Sequence, residues 1–309
     1  MAISNSVKHK QPNTRFRWLK DLIASRLMLG TTIFASLLVV LIAVGLLQKS
    51  LPILSLKPLN DLIFSSSWYP QKGQFGFWPF IVGTFAVTGV AMVFAIPLCI
   101  LTSIYLAEYA PNWVRNAVKP AVDLLAGIPS VVYGLCGILV IIPVVRDFAA
   151  IFGTTTNGYN ILTGGIVLAI MVFPVIISIS EEVIRNVPHG MREVPVALGS
   201  TRWQATKLVV MRGALPGIIA AIILGFGRAF GETMAVIMVV GNVAKIPSSI
   251  FDPAYPLPAL IANNYGEMMS IPLYDSALLF AALILLIIVF LFNLGASYIL
   301  IKVESNYAA

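Results

Sequence analysis

Six apolar runs, each long enough to cross a bilayer, constrain this 309-residue chain before any motif does. They fall at about 28–47, 79–106, 120–145, 161–179, 213–240 and 273–301. A hydrocarbon core about 30 Å thick needs about 20 residues of α-helix. In lipid every backbone N–H and C=O must be satisfied within the structure, so a spanning run is a helix or a strand of a closed barrel. Barrel strands take about 10 residues, and these runs are too long for that. The sequence predicts an all-α membrane protein with six transmembrane helices. Composition agrees, with 59% hydrophobic and 11% charged residues, against about 25% charged in soluble domains.

The intervening segments divide the chain. Residues 1–27 form a basic tail containing Lys8, Lys10, Arg15, Arg17, Lys20 and Arg26. The next run is too long for a signal-peptide core and no Ala-x-Ala site follows it, so 28–47 reads as an uncleaved first helix. Residues 48–78 form a loop whose Trp68, Tyr69, Phe75, Phe77 and Trp78 suit a membrane interface. A five-helix core occupies 79–302, with a charged loop at about 181–212, and 303–309 is a short tail. Pro97 and Pro174 lie inside runs and predict kinks. Gly127 and Pro129 predict a bend or break in the third run. Fourteen Lys and Arg fall on one side of the predicted membrane and five on the other. The positive-inside rule then places both termini in the cytoplasm.

The fifth run contains two residues that a plain anchor does not need. Arg228 and Glu232 stand four apart, so one helical turn predicts an ion pair on a shared face. At 1.5 Å per residue, Arg228 lies about 18 Å along the helix from Pro216, near mid-membrane. A charge there costs about 2.5–3.5 kcal/mol on insertion scales, and such groups line polar pathways or bind charged species. The alternative is a structural pair that pins two helices. Gly225, Gly227 and Gly231 provide the small residues that let helices approach closely, and leave thin walls beside Arg228.

Other chemistry is excluded. Cys99 and Cys136 both sit in apolar runs and suit neither a disulfide framework nor a metal site. No Gly-x4-Gly-Lys-[Ser/Thr] loop is present, so an ATP site of that kind has to come from another chain. His9 and His189 are far apart in polar segments and read as surface residues. The net charge of +7 reflects membrane orientation, with no nucleic-acid partner expected. The basic tail suits contact with anionic membrane lipid.

The loop at 181–212 is too patterned for a simple connection. Glu193-Val-Pro-Val-Ala-Leu-Gly199-Ser-Thr-Arg-Trp203-Gln-Ala-Thr-Lys207 predicts an amphipathic helix, a break at Gly199 and a second helix. An apolar-anchored helix with charged flanks suits the docking of a partner protein, against the alternative of a solvated segment. Glu193, Ala197, Gly199 and Trp203 are the docking candidates.

This spacing resembles the EAA loop of ABC-importer membrane subunits. Leu125-Ala-Gly-Ile-Pro-Ser-Val-Val-Tyr-Gly134, with Gly227-Arg-Ala-Phe-Gly-Glu-Thr-Met-Ala-Val236, resembles the PstC-like family of phosphate-importer permeases over about 70–302. The chain departs from the loop pattern at Val194 and Pro195, where that pattern has alanines, and at Met211 and Arg212, where it has Leu-Pro. The resemblance implies a type I ABC-importer permease (MetI-like) fold with a cytoplasmic coupling helix, in a bacterial inner membrane. It implies a second, PstA-like permease, two PstB-like ATP-binding subunits that hold ATP and Mg, and a periplasmic PstS-like phosphate-binding protein. The chain itself is then expected to be no enzyme and to bind no cofactor or metal. Arg228 would offer phosphate a permanent, bidentate charge, held in place by Glu232. A permease for another oxyanion or polar solute stays open. An ion-coupled secondary transporter or channel would leave the loop unexplained, and the halves show no repeat of the kind such proteins often carry.

Overall fold

The computed structural model describes residues 14–267 and 271–307. The expectations for Lys8, His9 and Lys10 fall outside these residues. The chain divides into two compact units, Met1–Gln48 and Lys49–Ala309. In the first unit the described residues form one helix, the N-terminal part of α1 (Thr14–Leu56). This helix begins inside the expected tail and runs beyond the expected end at residue 47, with Pro52 in its last turns. Residues 14–27 and 48–56 are therefore helical extensions of the first span.

The second unit continues with α2 (Leu59–Phe64) and a small antiparallel hairpin. Its strands are β1 (Trp68–Tyr69) and β2 (Gln74–Phe75), with Trp68 opposite Phe75 and Tyr69 opposite Gln74. Gly73 turns the chain at φ +66°, a left-handed conformation that glycine adopts without strain. Phe75 and Phe77 are buried, and the Trp68 ring meets Phe80 edge-on at 4.8 Å between centroids. These aromatics pack against one another, so Phe75 and Phe77 do not serve as interface anchors.

Membrane-length helices follow. α3 (Trp78–Ile104) widens into a π-helical turn at Tyr105–Tyr109. α4 (Asn112–Gly127) is a separate amphipathic helix, and α5 (Ser130–Cys136), a π turn at Gly137–Ile141 and α6 (Ile142–Ile151) make one continuous spanning stretch. The third span thus starts at Ser130, ten residues later than the sequence suggested, and Arg146 is helical. The reason is physical: Arg115, Lys119 and Asp123 put charges along α4 that lipid would not accept. Ile128 and Pro129 are extended, at ψ +130° and +143°. Proline fixes its own φ and steers the preceding residue away from the helical region.

α7 (Ile161–Arg185) is the most buried spanning helix and runs past the expected end at 179. Asn160 caps it, its side chain accepting the Thr163 N–H at 2.9 Å. α3 lies along α7 through small residues. Ala91, Ala95 and Cys99 are fully buried, and a β carbon on Gly165 would stand only 2.4 Å from Val90 Cγ1. After α7 come α8 (His189–Ala197), α9 (Arg202–Ala205), a π turn at Thr206–Val210 and α10 (Met211–Gly231). α11 (Met234–Val239), α12 (Leu257–Asn264) and α13 (Tyr274–Tyr307) complete the chain. Among the described residues, six helical stretches are long and apolar enough to cross a membrane. α13 continues to Tyr307, so most of the expected 303–309 tail belongs to the last helix.

Candidate functional site

The fifth span differs from its expected form where the charges lie. α10 stops at Gly231, and Glu232 adopts extended backbone at ψ +128°. The one-turn geometry that would pair Arg228 with Glu232 does not exist, and no ion pair joins them. Glu232 turns instead to the next helix, its Oε1 accepting the Ala235 N–H at 3.3 Å. It lines a narrow cleft with Thr84, Thr88, Pro256 and Pro258. Arg228 is half-buried near the end of α10 and lies within electrostatic reach of the Tyr133 phenol. That phenol donates to the Leu125 carbonyl at 2.7 Å, across the break at Ile128 and Pro129. The structure therefore relates Arg228 to the Leu125–Gly134 segment and separates it from Glu232.

The three glycines of this span have different surroundings. A β carbon on Gly225 would lie 2.7 Å from Ile176 Cδ1 and 3.0 Å from Val172 Cγ1, so Gly225 is where α10 meets α7. Gly227 and Gly231 have nothing among the described residues within 4 Å of that position, so an added side chain there would meet open space. Gly127 likewise has open space beside it, at the end of α4.

The charged loop resolves into α8, a tight reversal and α9. Gly199 stands at φ +90°. Its N–H bonds Val196 O and the Ser200 N–H bonds Pro195 O, both at 3.0 Å, a left-handed helix stop that demands glycine. Thr201 and Gln204 then form a reciprocal capping box for α9. Glu193, Ala197 and Trp203 are all exposed. Beside them Val194, Leu198 and Trp203 present apolar surface, with Leu198 82% exposed.

Two arginines that the sequence reading passed over make the densest polar network. Arg192 on α8 donates from Nε to Glu108 Oε1 at 2.9 Å. Its terminal nitrogens donate to Val187 O at 2.7 Å, Ile184 O at 2.6 Å and Arg185 O at 3.2 Å. Arg115 on α4 donates to Leu106 O at 3.0 and 2.8 Å and to Ala107 O at 3.4 Å, with Nε 4.0 Å from Glu181 Oε1. Glu181 is buried and also meets Arg185 at 3.4 Å. No local pattern announces these contacts, because Glu108 and Arg192 are 84 residues apart.

Residues 99–303 match the model of the binding-protein-dependent transport system inner membrane component family. The chain belongs to that family. The permease is 34% identical to the phosphate transport system permease protein PstC of Xylella fastidiosa (strain Temecula1), over 92% of this chain and 91% of that one. It is 40% identical to the probable ABC transporter permease protein YqgH of Bacillus subtilis, over 77% of each chain. Solved structures show the same fold. An inward-facing MetNI methionine ABC transporter aligns over 74% of the permease and 97% of that chain, with TM-score 0.56 and 21% identity. A bacterial ABC transporter for the polysaccharide alginate aligns over 94% and 99%, with TM-score 0.61 and 16% identity. The permease is thus a multi-pass membrane protein of the MetI-like ABC-importer fold.

Proposed function

We propose that the permease is one of two membrane-spanning subunits of an ATP-driven importer of inorganic phosphate. The observation that carries this reading is its 34% identity to a phosphate transport permease over nine-tenths of both chains. A PstA-like permease would complete the pathway. Two PstB-like subunits would hydrolyse ATP with Mg, and a PstS-like protein would deliver phosphate at the opposite face. The importer lies in a bacterial inner membrane with both termini in the cytoplasm, the side that gathers fourteen Lys and Arg.

Arg228 is the anion contact in this reading. Among the described residues no carboxylate stands within 4 Å of it to neutralise it. A guanidinium keeps its charge and binds oxyanions through two parallel N–H groups. Glu232, turned toward Thr84 and Thr88, acts as a separate acidic wall of the pathway that limits how tightly an anion is held. The exposed apolar face of α8 and its surroundings, with Glu193, Ala197, Gly199 and Trp203, receives an ATP-binding subunit.

Uptake of phosphate into proteoliposomes holding the whole complex tests this, with sulfate as competitor and Arg228→Gln as the variant. Uptake that needs ATP, ignores sulfate and disappears in an assembled Arg228→Gln complex is expected. Sulfate uptake at a comparable rate would reassign the substrate to another oxyanion. Uptake that survives the substitution would remove Arg228 from the pathway.

A further inference from the structure

The contacts of Arg192 and Arg115 form a crossed pattern between the ends of α3 and α7. Arg192 covers three carbonyls around the C-terminus of α7 and pairs with Glu108, which follows α3. Arg115 covers two carbonyls at the end of the α3 extension and faces Glu181 on α7. Each arginine therefore caps one helix and reaches the carboxylate of the other.

We propose that this crossed Arg–Glu clasp is the mechanical link by which movement of the docking helix α8 reaches α3 and α7, with Arg192 as its positioning residue. The proposal rests on the ATP-driven importer reading above. Three observations support it. First, Arg192 is the side chain by which α8 hydrogen-bonds to the rest of the molecule, among the described residues. Second, a cavity of about 590 Å³, bordered by Tyr109, Val196, Ala197 and Ala205, lies beside α8. Arg192 and Glu108 themselves border this cavity, so on that side their ion pair, rather than side-chain packing, joins α8 to the end of the α3 extension. Third, the helices it grips carry Pro97 and Pro174 within their spans, the points at which a helix bends. The planar guanidinium fork holds several acceptors in one geometry, which a flexible ammonium does not. The Arg192 and Glu108 side chains are only 18% and 13% exposed, so their attraction is screened less than that of a fully exposed surface pair.

The test measures ATP hydrolysis and phosphate uptake in the same proteoliposomes, using the complete complex with wild-type, Arg192→Gln, Arg192→Lys or Glu108→Gln permease. Expected for Arg192→Gln is continued co-purification of the ATP-binding subunits, ATP hydrolysis within about twofold of wild type and uptake reduced at least tenfold. The ATP spent per phosphate then rises at least fivefold. Arg192→Lys should recover part of that ratio, since it keeps the charge opposite Glu108 but loses the fork. Glu108→Gln should raise the ratio by a smaller factor, since the carbonyl contacts remain. These two milder variants decide the matter if Arg192→Gln does not assemble. A ratio equal to wild type in the variants, with hydrolysis and uptake falling together, would overturn the clasp and leave a purely structural or docking role. Absence of ATP-dependent uptake in the wild-type complex would overturn the importer reading, and the clasp with it.

Discussion

Replacing Gly225 and Gly227 by alanine, one at a time, separates helix packing from helix propensity. The two glycines sit two residues apart in α10, so alanine brings each the same propensity gain, about 1 kcal/mol. Their surroundings differ. At Gly225 the new methyl would stand 2.7 and 2.8 Å from Ile176 Cδ1 and Cγ1 and 3.0 Å from Val172 Cγ1. Ile176 is fully buried and Val172 is stiff at χ1, so neither swings away freely. Either α10 moves off α7 or the side chains leave their rotamers, at about 1–3 kcal/mol. At Gly227 the methyl meets nothing within 4 Å. Gly225→Ala is therefore expected to be about 0–2 kcal/mol less stable than wild type, and Gly227→Ala about 1 kcal/mol more stable. The gap of about 1–3 kcal/mol is the packing cost alone. Denaturant unfolding of the isolated permease in detergent, followed by circular dichroism, measures both. A gap under about 0.5 kcal/mol, the ordinary error of such differences, or one of opposite sign, refutes the α7–α10 packing argument. A Gly227 variant that is stable alone yet impairs the assembled complex would show that a second subunit covers Gly227.

Other outcomes follow from the same geometry. Arg228 and Glu232 are expected to act nearly additively in a double-mutant cycle on transport, with coupling under about 0.5 kcal/mol, because the helix ends between them; coupling above about 1 kcal/mol would restore the direct pair. Gly199→Val places a β-branched residue at φ +90° and should lower recovery of the ATP-binding subunits on co-purification, whereas Gly190→Ala, with open space beside it, should not. Leu198→Asp or Glu193→Lys should weaken that recovery without changing the amount of folded permease; wild-type recovery from both would remove the docking assignment from α8. Burial pushes the Tyr255 phenol above its ordinary value of 10.0, against the opposing hydrogen bonds from Asn263 and Asn264. A raised folded value means that the neutral phenol contributes stability in full below pH 10 and loses it as pH rises further. Tyr255→Phe should therefore flatten the alkaline part of the stability profile, and an unchanged profile would assign the loss to other groups.

Much of the site was legible only in part. The sequence singled out Arg228 because a charge inside an apolar run is costly wherever the helix lies. It paired Arg228 with Glu232 on the assumption that a 28-residue apolar run is one helix. Hydropathy does not register that the backbone breaks at Glu232 and Thr233 and that the carboxylate then serves α11. The third span went astray for a related reason. Apolar residues of α4 extend the run toward Pro120, and only the helix as a whole shows Arg115, Lys119 and Asp123 along its length.

What the sequence determined by itself was whatever depends on local energies. The number of spans follows from the length of the apolar runs, since each must satisfy its backbone within lipid. The reversal at Gly199 follows from a backbone angle that other residues adopt only with strain. The tertiary structure decided which charges meet. Glu108 with Arg192, and Arg115 with Glu181, join residues separated by tens of positions, and no periodicity encodes those distances. It also decided which glycines pack, since Gly225 and Gly227 are identical in sequence terms and differ only in whether a neighbouring helix lies against them.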